Sequence, residues 1–249
     1  MSRGRATTVC VTVDMEQDCP PYLDTWRGVV EGTPVLLALL AEERVPATFF
    51  VTGEVARRFP ETVRQILDAG HEVGAHGDTH VSFDTLSLSA ARAEIARATA
   101  TLGEFCTVTS FRAPYLRFPA ACVPLLEEHG YRLDSSSARY KLPGARVHRL
   151  GGVLRVPASI TSSTLRWHAW PRDWLLARLR EPAVVFVHPW EFVDLRRERL
   201  RLDCRFKTGE PARCCLQESI AQLRRAAPRF LRLREYGDEN DGVYRVRHE

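Results

Sequence analysis

Short apolar runs alternate with amphipathic segments along most of the chain, and the runs repeatedly end on polar side chains. Residues 7–14 (TTVCVTVD) are a β-branched run closed by Asp14, which suits a buried strand delivering that acid to its C-terminal edge. An acidic, proline-broken loop over 16–24 follows. Thr33 then caps a helix, with Pro34 in its first position and Val35, Leu36, Leu39 and Leu40 as the apolar face. Residues 47–52 (ATFFVT) read as the second strand, 61–69 as a helix stopped by Gly70, and 72–75 as a short third strand. A long amphipathic helix runs from Ser87 or Ser89 to about Phe105, with a serine N-cap.

The alternation continues with a fourth strand at 108–111, a helix at 119–129 closed by Gly130, and a fifth strand at 131–134. Residues 138–152 are irregular and read as an excursion before a strand near 153–158. A helix over 171–180 precedes the strand 183–187 (AVVFV), which presents His188. A helix at 212–226 and a strand at 230–233 end the core, and 236–249 is read as a polar tail. Strands and helices in alternation predict a parallel sheet with helices outside. Because the polar residues gather at strand ends, the expected fold is α/β, an irregular (β/α) barrel of seven or eight parallel strands.

The 249 residues, 45% of them hydrophobic, suffice for one barrel domain with its core over about 7–235, or for two smaller domains; the pattern favours the single domain. Net charge is +4, but the arginines are scattered and lack the aromatic interleaving of a nucleic-acid groove, so no nucleic-acid partner is expected. One denser basic stretch, 196–201, is read as a solvated loop, with attraction for an anionic substrate or lipid head group as the alternative. Seven cysteines without a paired Cys-x-x-Cys spacing argue against a disulfide framework or a thiolate zinc site and suit a reducing compartment. No long apolar segment opens the chain, so the expectation is a cytoplasmic protein without membrane insertion. Composition leaves the oligomeric state open.

The densest candidate chemistry is Gly74-Ala75-His76-Gly77-Asp78-Thr79-His80. Two imidazoles four residues apart lie on one side of a helical turn and can bind one divalent metal; two surface or cap histidines are the alternative. Company for the pair comes from other strand ends: Asp14-Met15-Glu16, Arg112-Ala113-Pro114-Tyr115, Asp134-Ser135-Ser136 and His188-Pro189-Trp190.

Over about residues 7–235 these motifs resemble the NodB-type polysaccharide deacetylases, carbohydrate esterase family four. Thr12-Val13-Asp14-Met15-Glu16 is similar to that family's first motif in a spaced form, His76 and His80 to its second, and Arg112-Ala113-Pro114-Tyr115 to its third. Asp134-Ser135-Ser136 resembles the fourth and Val187-His188-Pro189-Trp190 the fifth. The resemblance implies a deformed barrel and metal-dependent removal of an N- or O-acyl group. The stretch from Thr25 to Pro34 is similar to deformylases of the same superfamily that act on a lipid-linked formamido sugar.

On that reading His76, His80 and Glu16 are the metal ligands, with Asp18 as the substitute acid. The cofactor is one divalent ion, zinc first, with cobalt or nickel as alternatives. Asp14 is the candidate base, aimed by Arg112; the backbone N–H of Tyr115 joins in holding the oxyanion. His188 is the candidate acid. Asp134 either orients that imidazole or caps the Ser135-Ser136 turn, and Trp190 and Trp167 either stack on a sugar ring or pack in the core. The expected substrate is an acylated amino sugar or glycan precursor. Deformylation, opening of a cyclic amide, and a catalytically inactive sugar-binding module are the alternatives.

Overall fold

The computed structural model describes residues 7–141, 144–226 and 229–243. The first half of the chain runs β1 (Thr8–Met15), a π-turn over Gly28–Gly32, α1 (Thr33–Glu42), β2 (Ala47–Val51), α2 (Gly53–Arg58), α3 (Pro60–Asp68), β3 (Glu72–Ala75) and α4 (Leu88–Gly103). Then come β4 (Ser110–Phe111), α5 (Val123–Glu128), β5 (Leu133–Asp134), β6 (His148–Leu150), β7 (Val153–Arg155), α6 (Ser162–Leu165) and α7 (Ala169–Leu176). β8 (Ala183–Val187), α8 (Leu202–Arg205), α9 (Glu210–Ala226), β9 (Arg229–Phe230) and α10 (Leu233–Glu239) complete it.

The strands form one sheet in the order β6-β7-β5-β4-β3-β2-β1-β8, with β9 beside β1. All pairings are parallel except β6 with β7, so the irregular excursion of the sequence reading contributes an antiparallel edge strand. Beyond β7, Ser159 N donates to Val184 O at 2.7 Å and Val184 N donates to Ser159 Oγ at 3.0 Å. The end of β7 therefore reaches β8, and the sheet curls into the expected irregular α/β barrel.

Side-chain alternation along each strand decides what enters the barrel. Val9, Val11, Val13 and Met15 join the large cluster under the helices, with Phe49, Val51, Val73, Val185 and Val187. Cys10, Phe50, Leu133, Leu154 and Val184 form a separate inner cluster. The inner parity of β1 continues through Thr12 to Asp14 and Glu16, that of β3 to His76, that of β4 to Arg112 and that of β8 to His188. One end of the barrel thus receives every one of these polar side chains.

Three expectations about elements change. Thr33 does not cap α1 but lies inside it: the preceding π-turn already has helical backbone, and the Thr33 hydroxyl bonds back to Gly28 O at 3.4 Å. The expected closing strand at 230–233 is limited to Arg229–Phe230, and 233–239 is helical. The assignment of 236–249 to a polar tail therefore fails for its first residues. Leu233 and Tyr236 of α10 plug the inner cluster, while Leu233 N donates to Thr48 Oγ1 and Arg234 N to Glu72 Oε2. Residues 244–249 lie outside the described residues. No helix among the described residues is long and apolar enough to cross a membrane.

Candidate metal centre

Glu16, His76 and His80 meet at the polar end of the barrel, with their ligand atoms all within 4.8 Å of one another. His76 leaves β3 with its Nδ1 2.8 Å from Arg112 O. A carbonyl can only accept, so Nδ1 carries the proton and Nε2 is left as a lone-pair donor, 3.4 Å from Glu16 Oε2.

His80 reaches the same point by a route the spacing did not suggest. Residues 76–80 are a loop, not a helical turn, with Gly77 at φ +75° and His80 at φ +57°. Buried Glu94 of α4 fixes that loop, accepting from Asp78 N at 2.9 Å, Thr79 N at 2.6 Å and Thr79 Oγ1 at 3.0 Å. Asp78 is clamped from outside by Arg57 at 2.6 Å and Arg97 at 3.0 Å. A four-residue spacing that mimics a helix is produced here by carboxylates satisfying a left-handed loop.

The donor set fits a divalent cation. Neither ring nitrogen of half-buried His80 has an aligned hydrogen-bond partner, and His80 Nε2 abuts Glu16 Oε2. An orphaned imidazole nitrogen facing a carboxylate, beside a second imidazole of fixed tautomer, offers three donor atoms to one divalent cation. Burial alone would raise the Glu16 carboxyl. The neighbouring His80 and His188 rings and His76 Nε2 instead hold it well below the ordinary glutamate value.

Asp18, the substitute ligand, is not part of this group. Its Oδ1 accepts from Gly28 N at 2.7 Å, and its Oδ2 accepts from Arg27 N at 2.7 Å and Thr25 Oγ1 at 2.6 Å. The carboxylate is consumed in holding the start of the π-turn. That turn lies hard against the His188 segment: a Cβ on Gly28 would sit 2.5 Å from Trp190 N, and one on Gly32 would sit 2.0 Å from Pro189 O. Asp18→Ala is expected to lower stability by about 1–3 kcal/mol through the three orphaned donors while bound metal per chain stays unchanged. Denaturant melts paired with metal analysis would check this, and loss of the metal would return Asp18 to the ligand set.

Asp14 and Arg112 form a buried pair, Arg112 Nη1 donating to Asp14 Oδ1 at 2.7 Å. The guanidinium also donates to Thr12 Oγ1 at 2.8 Å and Ser135 Oγ at 2.9 Å, and it lies over the Phe50 ring at 4.4 Å. With its fork filled on every side, Arg112 cannot swing, so it fixes the Asp14 carboxylate toward the cavity.

His188 is oriented by a residue absent from the sequence reading. Its Nδ1 lies 2.8 Å from Glu191 Oε1, whose other oxygen pairs with Arg166 Nε at 2.8 Å. Nε2 is turned inward, 3.7 Å from Glu16 Oε1. Burial opposes a charge on this ring, but Glu16, Glu191 and Asp14 outweigh it and push His188 up to about 9. Burial also opposes the Glu191 charge, but Arg166 and His188 hold that carboxyl below its ordinary value. The His188-Pro189-Trp190-Glu191 spacing was the available signal, since a carboxylate three residues on can reach back across one tight turn.

Asp134 does not touch His188. Leu133 takes the inner parity of β5, which turns Asp134 outward to Arg155 Nε at 2.7 Å and to Ser136 N at 2.9 Å. Of the two roles left open for it, the turn cap is the one present. Trp190 lines the cavity and stacks on His188 with ring centroids 4.9 Å apart. Tyr115 also lines it, its ring meeting His80 edge-on at 4.8 Å. Trp167 is 43% exposed and stands apart from the cavity lining. In the basic stretch, Arg196 pairs with Asp194 and Arg201 with Asp203, so two of its charges are locally neutralised.

Comparison with known proteins gives a consistent neighbourhood. A family model described as polysaccharide deacetylase matches residues 4–133. A peptidoglycan deacetylase of Helicobacter pylori is 32% identical over 118 residues, covering 45% of this chain and 40% of that protein. A chitooligosaccharide deacetylase of Sinorhizobium fredii is 27% identical over 167 residues, covering 63% of this chain and 65% of that protein. The match thus spans less than two thirds of the length of these curated relatives. In fold, the chain superposes on a Mycobacterium smegmatis protein assigned provisionally as a polysaccharide deacetylase. The TM-score is 0.73 at 21% identity, with 98% of this chain and 93% of that one covered.

Proposed function

The chain belongs to the polysaccharide deacetylase family, and we propose that it hydrolyses an acyl group, N-acetyl first, from an amino sugar or glycan, with a divalent ion at Glu16, His76 and His80. The observation that carries this reading is the convergence of those three ligands, the Asp14–Arg112 pair and His188 on one open cavity of about 1060 Å³, counting the space open to solvent. When bound, the ion supplies the Lewis acidity that polarises an acyl carbonyl and acidifies a water.

The chain's own groups supply the proton traffic. Asp14, aimed by Arg112, accepts the proton of the attacking water. His188 holds a proton at Nε2, because Nδ1–H is already committed to Glu191. It hands that proton to the leaving nitrogen, which would otherwise depart as an unstable amide anion. The indole of Trp190 stacks on the acid, and the Tyr115 ring meets His80 edge-on. The Tyr115 backbone N–H is assigned to the oxyanion, as the family resemblance implies. Tyr115, the more exposed of the two rings, offers a face to a sugar.

The deciding experiment measures acetate released from N-acetylglucosamine oligomers and from peptidoglycan by metal-replete protein, before and after a chelator. Acetate release that stops with the chelator and returns with Zn²⁺ or Co²⁺ is the expected result; release that survives chelation sinks the reading. Formate release and cyclic-amide opening, assayed alongside, separate the two neighbouring amide chemistries. Substrate binding without any turnover in the metal-replete protein would mark an inactive sugar-binding module instead.

Glu191→Gln should move the alkaline limb of the pH profile. His188 donates a proton only below its pKa, so activity falls as pH rises through it. Removing the Glu191 charge lets the ring drop toward its ordinary 6.5. The limb of kcat/KM should therefore shift to lower pH, by about one unit or more. A bound cation offsets the pull of Glu16, which leaves Glu191 as the main support and sharpens the effect. A limb that stays put would remove His188 from the acid role.

A further inference from the structure

The cavity lining carries two thiols that the hydrolysis does not use. Cys19 lies in the loop after β1 and Cys204 in α8, and both line the cavity. They come from two separate stretches of the chain, 16–27 and 194–206, that meet in one cluster. Cys19 packs with Trp190, Leu195 and Leu200, and Cys204 joins the same cluster from its edge. The two thiols lie close enough to perturb each other. Arg166 donates to Asp203 O at 2.7 Å and to Phe206 O, which fixes the backbone on either side of Cys204. Among the described residues, no other cysteine lines this cavity.

We propose that Cys19 and Cys204 are an oxidation site at which a peroxide or a small-molecule disulfide joins them reversibly, tying together two segments that line the cavity. The arrangement assigns the roles. Cys19 is buried whereas Cys204 is half-buried and so within reach of a small oxidant. Cys204 is therefore the attacking thiolate and Cys19 the resolving thiol.

With hydrogen peroxide, Cys204 Sγ attacks one oxygen, the O–O bond breaks, and hydroxide leaves with a proton as water. The sulfenic acid formed is then attacked by Cys19 Sγ; the S–O bond breaks and the departing hydroxide takes the Cys19 proton as a second water. Two thiols lose two protons and two electrons, and one peroxide gains them. With a small disulfide, two successive exchanges release its two thiols instead. A dithiol reductant reverses either route.

The test uses the full chain, reduced, freed of reductant and exposed briefly to dilute peroxide. Thiols titrated after denaturation should fall from seven to five, a loss of the two in the bridge, and return to seven with reductant. A peptide map should join Cys19 to Cys204. Amide exchange over 16–27 and 194–206 should slow by about tenfold or more on oxidation, and should not slow in Cys204→Ser or Cys19→Ser treated alike. A map that leaves Cys19 and Cys204 free, a bridge to a different cysteine, or a bridge that leaves exchange unchanged would overturn the proposal. Acetate release by metal-loaded protein should fall with the bridge and recover on reduction. A reduced protein with no turnover would end the deacetylase reading, and the exchange data would still decide this one.

Discussion

His80→Ala should empty the metal centre while leaving the fold almost untouched. Both ring nitrogens of His80 lack aligned hydrogen-bond partners, so truncation removes only its ion-pair contact with Glu16 Oε2, which His76 Nε2 still faces at 3.4 Å. Its loop is held by Glu94 and Asp78 through backbone and flanking contacts that the imidazole does not make. The stability of the metal-free chain should therefore change by only about 1 kcal/mol or less, the usual range away from core or network contacts. Turnover should fall by at least about 100-fold, since even groups that merely support a metal ligand are worth about 10–100-fold. Stabilisation by added metal should vanish in parallel, because an ion that binds only the folded chain raises its melting point by mass action. Metal analysis, melts with and without Zn²⁺, and acetate release read the three effects separately. A variant that kept stoichiometric metal and turnover would dismantle the centre.

Much of this site was legible in the sequence because strand parity is strict. Asp14 and Glu16 are two apart at the end of a fully buried strand, so both had to face the same way. His76, Arg112 and His188 follow the same rule from their own strands. Asp134 broke the expectation for the same reason: in a strand of two residues the parity is set by Leu133, and the sequence offered no longer pattern to fix it. Asp18 as substitute ligand and the helical turn expected for 76–80 failed differently, although His76 and His80 do meet. Which backbone N–H groups a carboxylate will satisfy depends on how a loop closes, and neither the three donors around Asp18 nor the Glu94 clamp on 78–79 leaves a periodic trace. The α10 plug was hidden by its polar composition, since only Leu233 and Tyr236 of that helix are buried.

Asp14 should separate catalysis from stability in a graded series. Asp14→Asn keeps the shape and an oxygen that can accept from Arg112, yet it removes the group able to take a proton. Turnover should drop by about 10²–10⁴-fold, the range for a positioned acid or base, with little change in metal content. Asp14→Ala should add a stability loss of about 3–5 kcal/mol, because Arg112 is fully buried and would keep its charge with no carboxylate beside it. Adding Arg112→Met to that variant should recover part of the stability and none of the turnover, since an apolar side chain between Phe50 and Phe186 carries no desolvation penalty. Denaturant midpoints rank the three proteins for folding and single-turnover acetate release ranks them for chemistry. The two rankings must disagree at the double variant; if turnover returned there along with stability, Asp14 would be a structural counter-ion and the base would have to be sought elsewhere in the cavity.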